Sequence, residues 1–149
     1  MRSRPKALPL LIALLLSTRI DAAAAAEKPS AAIANAIVRD LEDILDPPAR
    51  WRGGGHHVWL QTIELEDWDS RYLTAKLRLR YQKTRGFPHF STSGAAHVRL
   101  TIYPGNNGEV CVSDYKVVGH DLNRVPKWLD NAWLEKKFKG KLPGEVCAK

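Results

Sequence analysis

Arg71-Tyr72-Leu73-Thr74-Ala75-Lys76-Leu77-Arg78-Leu79-Arg80-Tyr81 carries the strongest periodic signal in the chain. Leu73, Ala75, Leu77, Leu79 and Tyr81 hold every second position, and Tyr72, Thr74, Lys76, Arg78 and Arg80 hold the rest. A period of two predicts a β-strand with one face buried and one face wet. A slip of one residue would drive Lys76, Arg78 and Arg80 into the core, so the register is firmly set. The wet face is basic, which makes Lys76, Arg78 and Arg80 candidates for contact with an anionic surface.

The pattern extends in both directions. Upstream, Val58–Leu65 predicts a strand of imperfect alternation, with Trp59, Ile63 and Leu65 on one face and Val58 and Leu60 on the other. Glu66–Ser70 reads as the turn into the central strand, and Ala49–Gly55, with its three glycines, as a loop. Downstream, Gln82–Gly94 is polar and turn-rich. Ala96, Val98, Leu100 and Ile102 then alternate with His97, Arg99, Thr101 and Tyr103. Pro104–Gly108 is a hairpin connection, and Glu109–Val118 predicts a further strand. Short connections imply antiparallel neighbours.

Helical spacing brackets the strands. Ser30 is placed to cap a helix in which Ile33, Ile37, Leu41, Ile44 and Leu45 form a stripe, stopped by Pro47 and Pro48. Near the C-terminus, Asp121 or Asn123 is a candidate cap with Pro126 in the first turn. Val125, Trp128, Leu129, Ala132 and Trp133 supply an apolar stripe, and Gly140 a stop. Leu142–Lys149 reads as a tail. The expected fold is α+β: an N-terminal helix, a four-stranded curved antiparallel sheet and a C-terminal helix, with one disulfide.

Residues 1–26 read as a secretory signal peptide. Arg2, Arg4 and Lys6 precede the short apolar run Ala7–Leu16, and Ala22–Ala26 offers small residues for cleavage after Ala24 or Ala26. The run is too short for a stable membrane anchor. Residues 27–149 then form a single domain, secreted or periplasmic, with no transmembrane anchor. Losing four cations and one acid with the leader lowers the formal charge from +7 to +4. This favours anionic partners only mildly. No nucleic-acid motif is present, so nucleic acid is not an expected partner. Cys111 and Cys147 are the only cysteines, and an even count in an exported chain predicts that they pair.

Catalytic chemistry has no signature here. Gly53-Gly54-Gly55 lacks the Lys-Ser/Thr ending of a phosphate loop, and no Gly-x-Ser-x-Gly is present. His56 and His57 are adjacent, so on a strand they face opposite ways and do not chelate one ion. Glu64, Glu66, Asp67 and Asp69 lack the spacing of a calcium loop. No catalytic residue, metal or cofactor is therefore expected. Binding is the better prospect. Lys76, Arg78, Arg80 and Arg99 offer an anion or surface contact. Five tryptophans are many for a domain of this size. Trp128 and Trp133 on the last helix, and Trp51 and Trp68 in loops, are candidate ligand contacts, because tryptophan joins a large apolar body to a polar N–H.

Val118–Asn131, reading Val-Gly-His-Asp-Leu-Asn-Arg-Val-Pro-Lys-Trp-Leu-Asp-Asn, followed by Lys136–Pro143, resembles the strand-to-helix passage of one-domain bacterial relatives of the tubular lipid-binding (TULIP) superfamily. The resemblance implies a long helix on a highly curved antiparallel sheet, with a lipid held between them. A cystatin-like sheet over a helix gives much the same element order. The expected function is an exported, non-enzymatic binding protein for an apolar or amphiphilic, lipid-like ligand or for an anionic envelope surface. The alternative is a secreted protein-interaction module, an inhibitor or accessory subunit of an envelope enzyme, anchored by Trp51, Trp68 and Phe87–Phe90.

Overall fold

Ser30 starts the first helix as expected. Its hydroxyl accepts from the Ile33 N–H at 3.2 Å, and α1 runs over Ala31–Leu45. The computed structural model describes residues 27–53, 55–86 and 89–149, so the expected signal segment 1–26 and Phe87 lie outside the described residues. Ala34, Ile37, Val38, Leu41 and Leu45 form the buried stripe of α1, while Ile44 points to solvent. Asp46 leaves the helix with φ 54° and Pro47 forbids another turn.

Six strands follow rather than four. They are β1 (Ala49–Gly53), β2 (His56–Trp68), β3 (Tyr72–Lys83), β4 (Phe90–Pro104), β5 (Val110–His120) and β6 (Val146–Ala148). Every neighbour is antiparallel and the spatial order is the chain order. The two additional strands are the edges. β1 occupies the stretch expected to be a loop, and β6 the expected tail. Each takes its hydrogen bonds from a longer neighbour, so neither needs a strong period of its own. The four expected strands are the inner four.

Helix α2 (Asn131–Lys139) lies between β5 and β6. Its cap is Asp130, whose carboxylate accepts from the Trp133 N–H at 2.9 Å, and not Asp121 or Asn123. Both expected caps are engaged by β4 instead. Asp121 Oδ1 accepts from the Ala95 N–H at 2.6 Å, and Asn123 Oδ1 accepts from the Thr92 hydroxyl at 3.2 Å. Val125, Trp128 and Leu129 consequently precede the helix, and its buried residues are Leu134 and Phe138.

The central strand obeys its period: Leu73, Ala75, Leu77, Leu79 and Tyr81 are at most 1% exposed. Its neighbours keep the same inner face by breaking theirs. β2 has a bulge at Gln61, between the pairs Leu60–Leu79 and Thr62–Arg78. One extra residue resets the parity, so Val58 and Leu60 share the core face with Ile63 and Leu65. β5 makes a comparable adjustment near Asp114 (φ 54°), which turns Val112, Tyr115 and Val117 inward together. Irregularities of this kind bend and twist a sheet, and this one curls around α1 and α2. The space between is filled by the protein's own side chains, with Ile37, Leu41, Leu45, Leu134 and Phe138 meeting the strand leucines at 0–1% exposure. Tyr115 meets Phe138 edge to face at 5.9 Å.

Cys111 and Cys147 are direct partners in the β5–β6 register and are joined as a disulfide 36 residues apart in sequence. Loop closure of that length contributes about 3–4 kcal/mol. Replacing both cysteines by alanine should lower urea-unfolding stability by roughly that amount, measured from the transition midpoint at constant slope. An unchanged midpoint would contradict the assignment. Gly94 supplies a second test. A Cβ there would lie 2.5 Å from Asp121 Oδ1 and 3.2 Å from the Leu122 nitrogen. Gly94→Ala should therefore cost about 1–3 kcal/mol and weaken protection of the Ala95 amide in hydrogen exchange.

Candidate binding surface: an aromatic cluster beside a cationic groove

Tyr81 ends the apolar run of β3, and a chain of aromatic contacts begins there. Its hydroxyl lies 2.5 Å from His56 Nδ1, and its ring is 5.7 Å from Phe90. His56 meets Trp128 edge to face at 5.4 Å, and Trp128 meets Trp133 at 5.2 Å and 64°. The series runs from a side chain at 1% exposure to one at 38%. Asp130 explains the last pair: by capping α2 it fixes Trp133 in the first turn while Trp128 precedes the helix on the connecting stretch. Cations border the series. Lys137 Nζ lies 5.5 Å from the centre of the Trp133 ring, and the Arg124 guanidinium 5.5 Å from that of Phe90. These distances suit cation–π attraction.

A groove of about 460 Å³ runs between β1 and the C-terminal end of α2, lined by Arg50, Trp51, Arg52, Lys136, Lys137, Gly140 and Lys141. Five of those residues are cations and none is an acid. α2 thus carries Trp133 in its first turn, against Trp128 on the preceding stretch, and one wall of the groove at its end.

The four tryptophans singled out from sequence divide accordingly. Trp128 and Trp133 come together. Trp51 is not in a loop: it is a core residue of β1 at 5% exposure, and it reaches the groove. Trp68 stands apart. It closes β2, its indole N–H donates to the Pro29 carbonyl at 2.8 Å, and Lys28 Nζ lies 4.5 Å from its ring centre. That pattern is a fastening for the segment leading into α1. A separate cleft of about 530 Å³, lined in part by Pro29, Ile102, Pro104 and Val110, lies beside that segment.

The outer sheet face is less cationic than β3 alone implies. β2 carries Glu64 alongside and, by running on through residues expected to turn, Glu66 as well. Arg78 Nε donates to Glu64 Oε1 at 2.6 Å. That hydrogen bond is the main cause holding the Glu64 carboxyl below its ordinary range, with help from Lys76. Lys76 lies directly between Glu64 and His97 in the register. A carboxylate only accepts, so His97 carries its proton on Nδ1 and donates to Glu66 at 2.5 Å. Arg99 covers the Tyr72 ring at 4.7 Å. Arg80 sits beside Trp59, and its Nε is buried without a hydrogen-bond partner. Lys76, Arg78, Arg80 and Arg99 therefore share a face, as expected from their period, but in an interleaved array of both signs. The groove cations were missed as a set because they come from two distant segments. The local signals are separate: Arg50 and Arg52 flanking Trp51, and the lysines Lys136, Lys137 and Lys139, which read as complements of the helix dipole.

Among the described residues, the group with metal-ligand proximity is Cys111, Cys147 and Glu145. Both sulfurs are tied up in the disulfide, so no thiolate is offered. No described helix is long and apolar enough to cross a membrane. Comparison with known protein families, curated proteins and solved structures finds no match to this chain.

Burial raises the phenol pKa of both Tyr81 and Tyr115 above the usual 10.0. Folding thus favours the protonated phenols. This contribution is fully present below pH 10.0 and is lost as pH rises through the folded values. An ultraviolet titration should show late-ionising phenols, and Tyr81→Phe and Tyr115→Phe should each remove part of that late component. Loss of neither late component in these variants would contradict the burial argument.

Proposed function

We propose that the protein is a non-enzymatic binding protein that attaches to anionic, amphiphilic surfaces of the lipid class. One observation carries the reading: Trp128, 38% exposed, packs on Trp133, and the Trp133 ring in turn lies 5.5 Å from Lys137 of a groove lined by five cations. An amphipathic ring at a surface favours a boundary between apolar and wet phases. Adjacent lysines and arginines add attraction to anionic headgroups. The TULIP resemblance implies a lipid between helix and sheet. That space is filled by Leu41, Leu45, Leu134 and Phe138, so the amphiphile is assigned to the outside of the molecule. The leader-like residues 1–26 and the disulfide support a periplasmic or secreted location.

Cosedimentation with vesicles of phosphatidylglycerol and phosphatidylcholine tests this reading. Binding should require the anionic lipid and fall steeply between 0.1 M and 1 M salt, over which the screening length shrinks from about 10 Å to about 3 Å. Trp128→Ala should weaken binding roughly tenfold, as expected for losing on the order of 1–2 kcal/mol of interfacial burial. Binding that is indifferent both to salt and to Trp128 would remove the proposal.

A further inference from the structure

We infer that the groove between β1 and the end of α2 is an oxyanion site for a phosphate-class group. Its place beside Trp128 and Trp133 makes it the headgroup site of the surface proposed above. The inference rests on that reading for the source of the phosphate, but the site has its own grounds.

Among the described residues its cations have no carboxylate partner. Arg50, Arg52, Lys136, Lys137 and Lys141 line the groove. The salt bridges among the described residues are Arg78–Glu64, His97–Glu66 and Lys139–Glu135, so none of these five has a carboxylate partner there, although Arg50 lies 5.5 Å from the centre of the Trp59 ring and Lys137 5.5 Å from that of Trp133. Trp51 lines the same groove at 5% exposure, and its buried indole N–H, like that of Trp59 and the Nε of Arg80, has no partner among the described protein atoms. A buried N–H left unmade costs about 1–3 kcal/mol, so native structures normally satisfy it. The side chains lining the groove are donors with no carboxylate among them, which suits a ligand rich in acceptors.

The helix dipole alone does not call for this many cations. The end of a helix carries the equivalent of about half a negative charge. Lys136, Lys137 and Lys139 all fall in the last turn of α2, and Lys139 already has Glu135 at 3.5 Å. Lys141 lies beyond the helix. Arg50 and Arg52 come from β1, where no dipole calls for them.

Phosphate fits better than a lone carboxylate. It presents several acceptor oxygens with up to two charges, which suits arginine and lysine donors from separate segments better than one carboxylate does. The groove volume of about 460 Å³ lies within the usual range for ligand sites and leaves room beyond the phosphate for what it is attached to. The group could arrive as a lipid headgroup or as free phosphate, and the two sources are separable by experiment.

The test uses inorganic phosphate and vesicles in parallel. In an amide and indole nitrogen–proton spectrum of the wild-type protein, added inorganic phosphate at low salt should shift the Trp51 indole N–H saturably. Arg52→Gln with Lys141→Gln should weaken phosphate binding at least tenfold, and vesicle binding by more than Arg99→Gln with Lys116→Gln, a loss of equal charge on the outer sheet face. Trp128→Ala should weaken vesicle binding while leaving phosphate affinity unchanged. Phosphate binding lost in the groove variant, with no vesicle binding by wild type, supports the site, identifies free phosphate as the source and defeats the surface reading. Vesicle binding reduced equally by the groove and outer-face variants, with no shift of Trp51, leaves the surface reading standing and overturns the site.

Discussion

The fold depends on a constraint at β3: its whole inner face has no contact with water. Leu73, Ala75, Leu77, Leu79 and Tyr81 must all face α1 and α2, while Lys76, Arg78 and Arg80 must not. Both requirements fix one register. The strands on either side inherit it, because their inner residues have to land opposite those of β3. β2 and β5 do so only by departing from regularity, at Gln61 and near Asp114. The curl of the sheet thus follows from matching imperfect strands to a nearly perfect one. Curvature in turn lets two short helices cover six strands, with the aromatic series emerging at one end of the covered face.

How much of this was visible in the sequence depends on whether the signal was local. β3 and β4 are legible because the period is carried by their own residues. Ser30 is legible as a cap because nothing else competes for its hydroxyl. Asp121 and Asn123 are not legible as anything but caps until β4 is known to claim them through Ala95 and Thr92. β1 and β6 are hidden because an edge strand is defined by its partner, and a three-residue segment has no period. The same rule governs the site. Trp128 and Trp133 could be named from their spacing. Trp51 was named for the wrong reason, as a loop residue, though it reaches the groove from the core. The union of Arg50 and Arg52 with Lys136, Lys137 and Lys141 needed the sheet edge and the helix end to be brought together.

Charge shows the limit of reading one strand at a time. β3 presents three cations on one face, and in isolation they make a basic stripe. β2 sets Glu64 and Glu66 against them and against His97. Exposed pairs of this kind contribute little to stability. Their larger effect is on the field: they cancel the stripe at short range and leave the groove, whose described lining holds no acid, as the more concentrated positive feature.

The disulfide matters for assembly as well as for stability. β6 is three residues long and covers the outer edge of β5 at Val110, Cys111 and Val112. An edge of that kind, once bare, presents unpaired N–H and C=O groups that can recruit a strand from another molecule. At the opposite margin, β1 carries Arg50 and Arg52, whose charges discourage such pairing. At the β5 margin, the S–S bond keeps so short a cover in place. In a reducing environment the protein would therefore face self-association through β5 while most of its core was still intact, which ties its solubility to the redox state of its compartment.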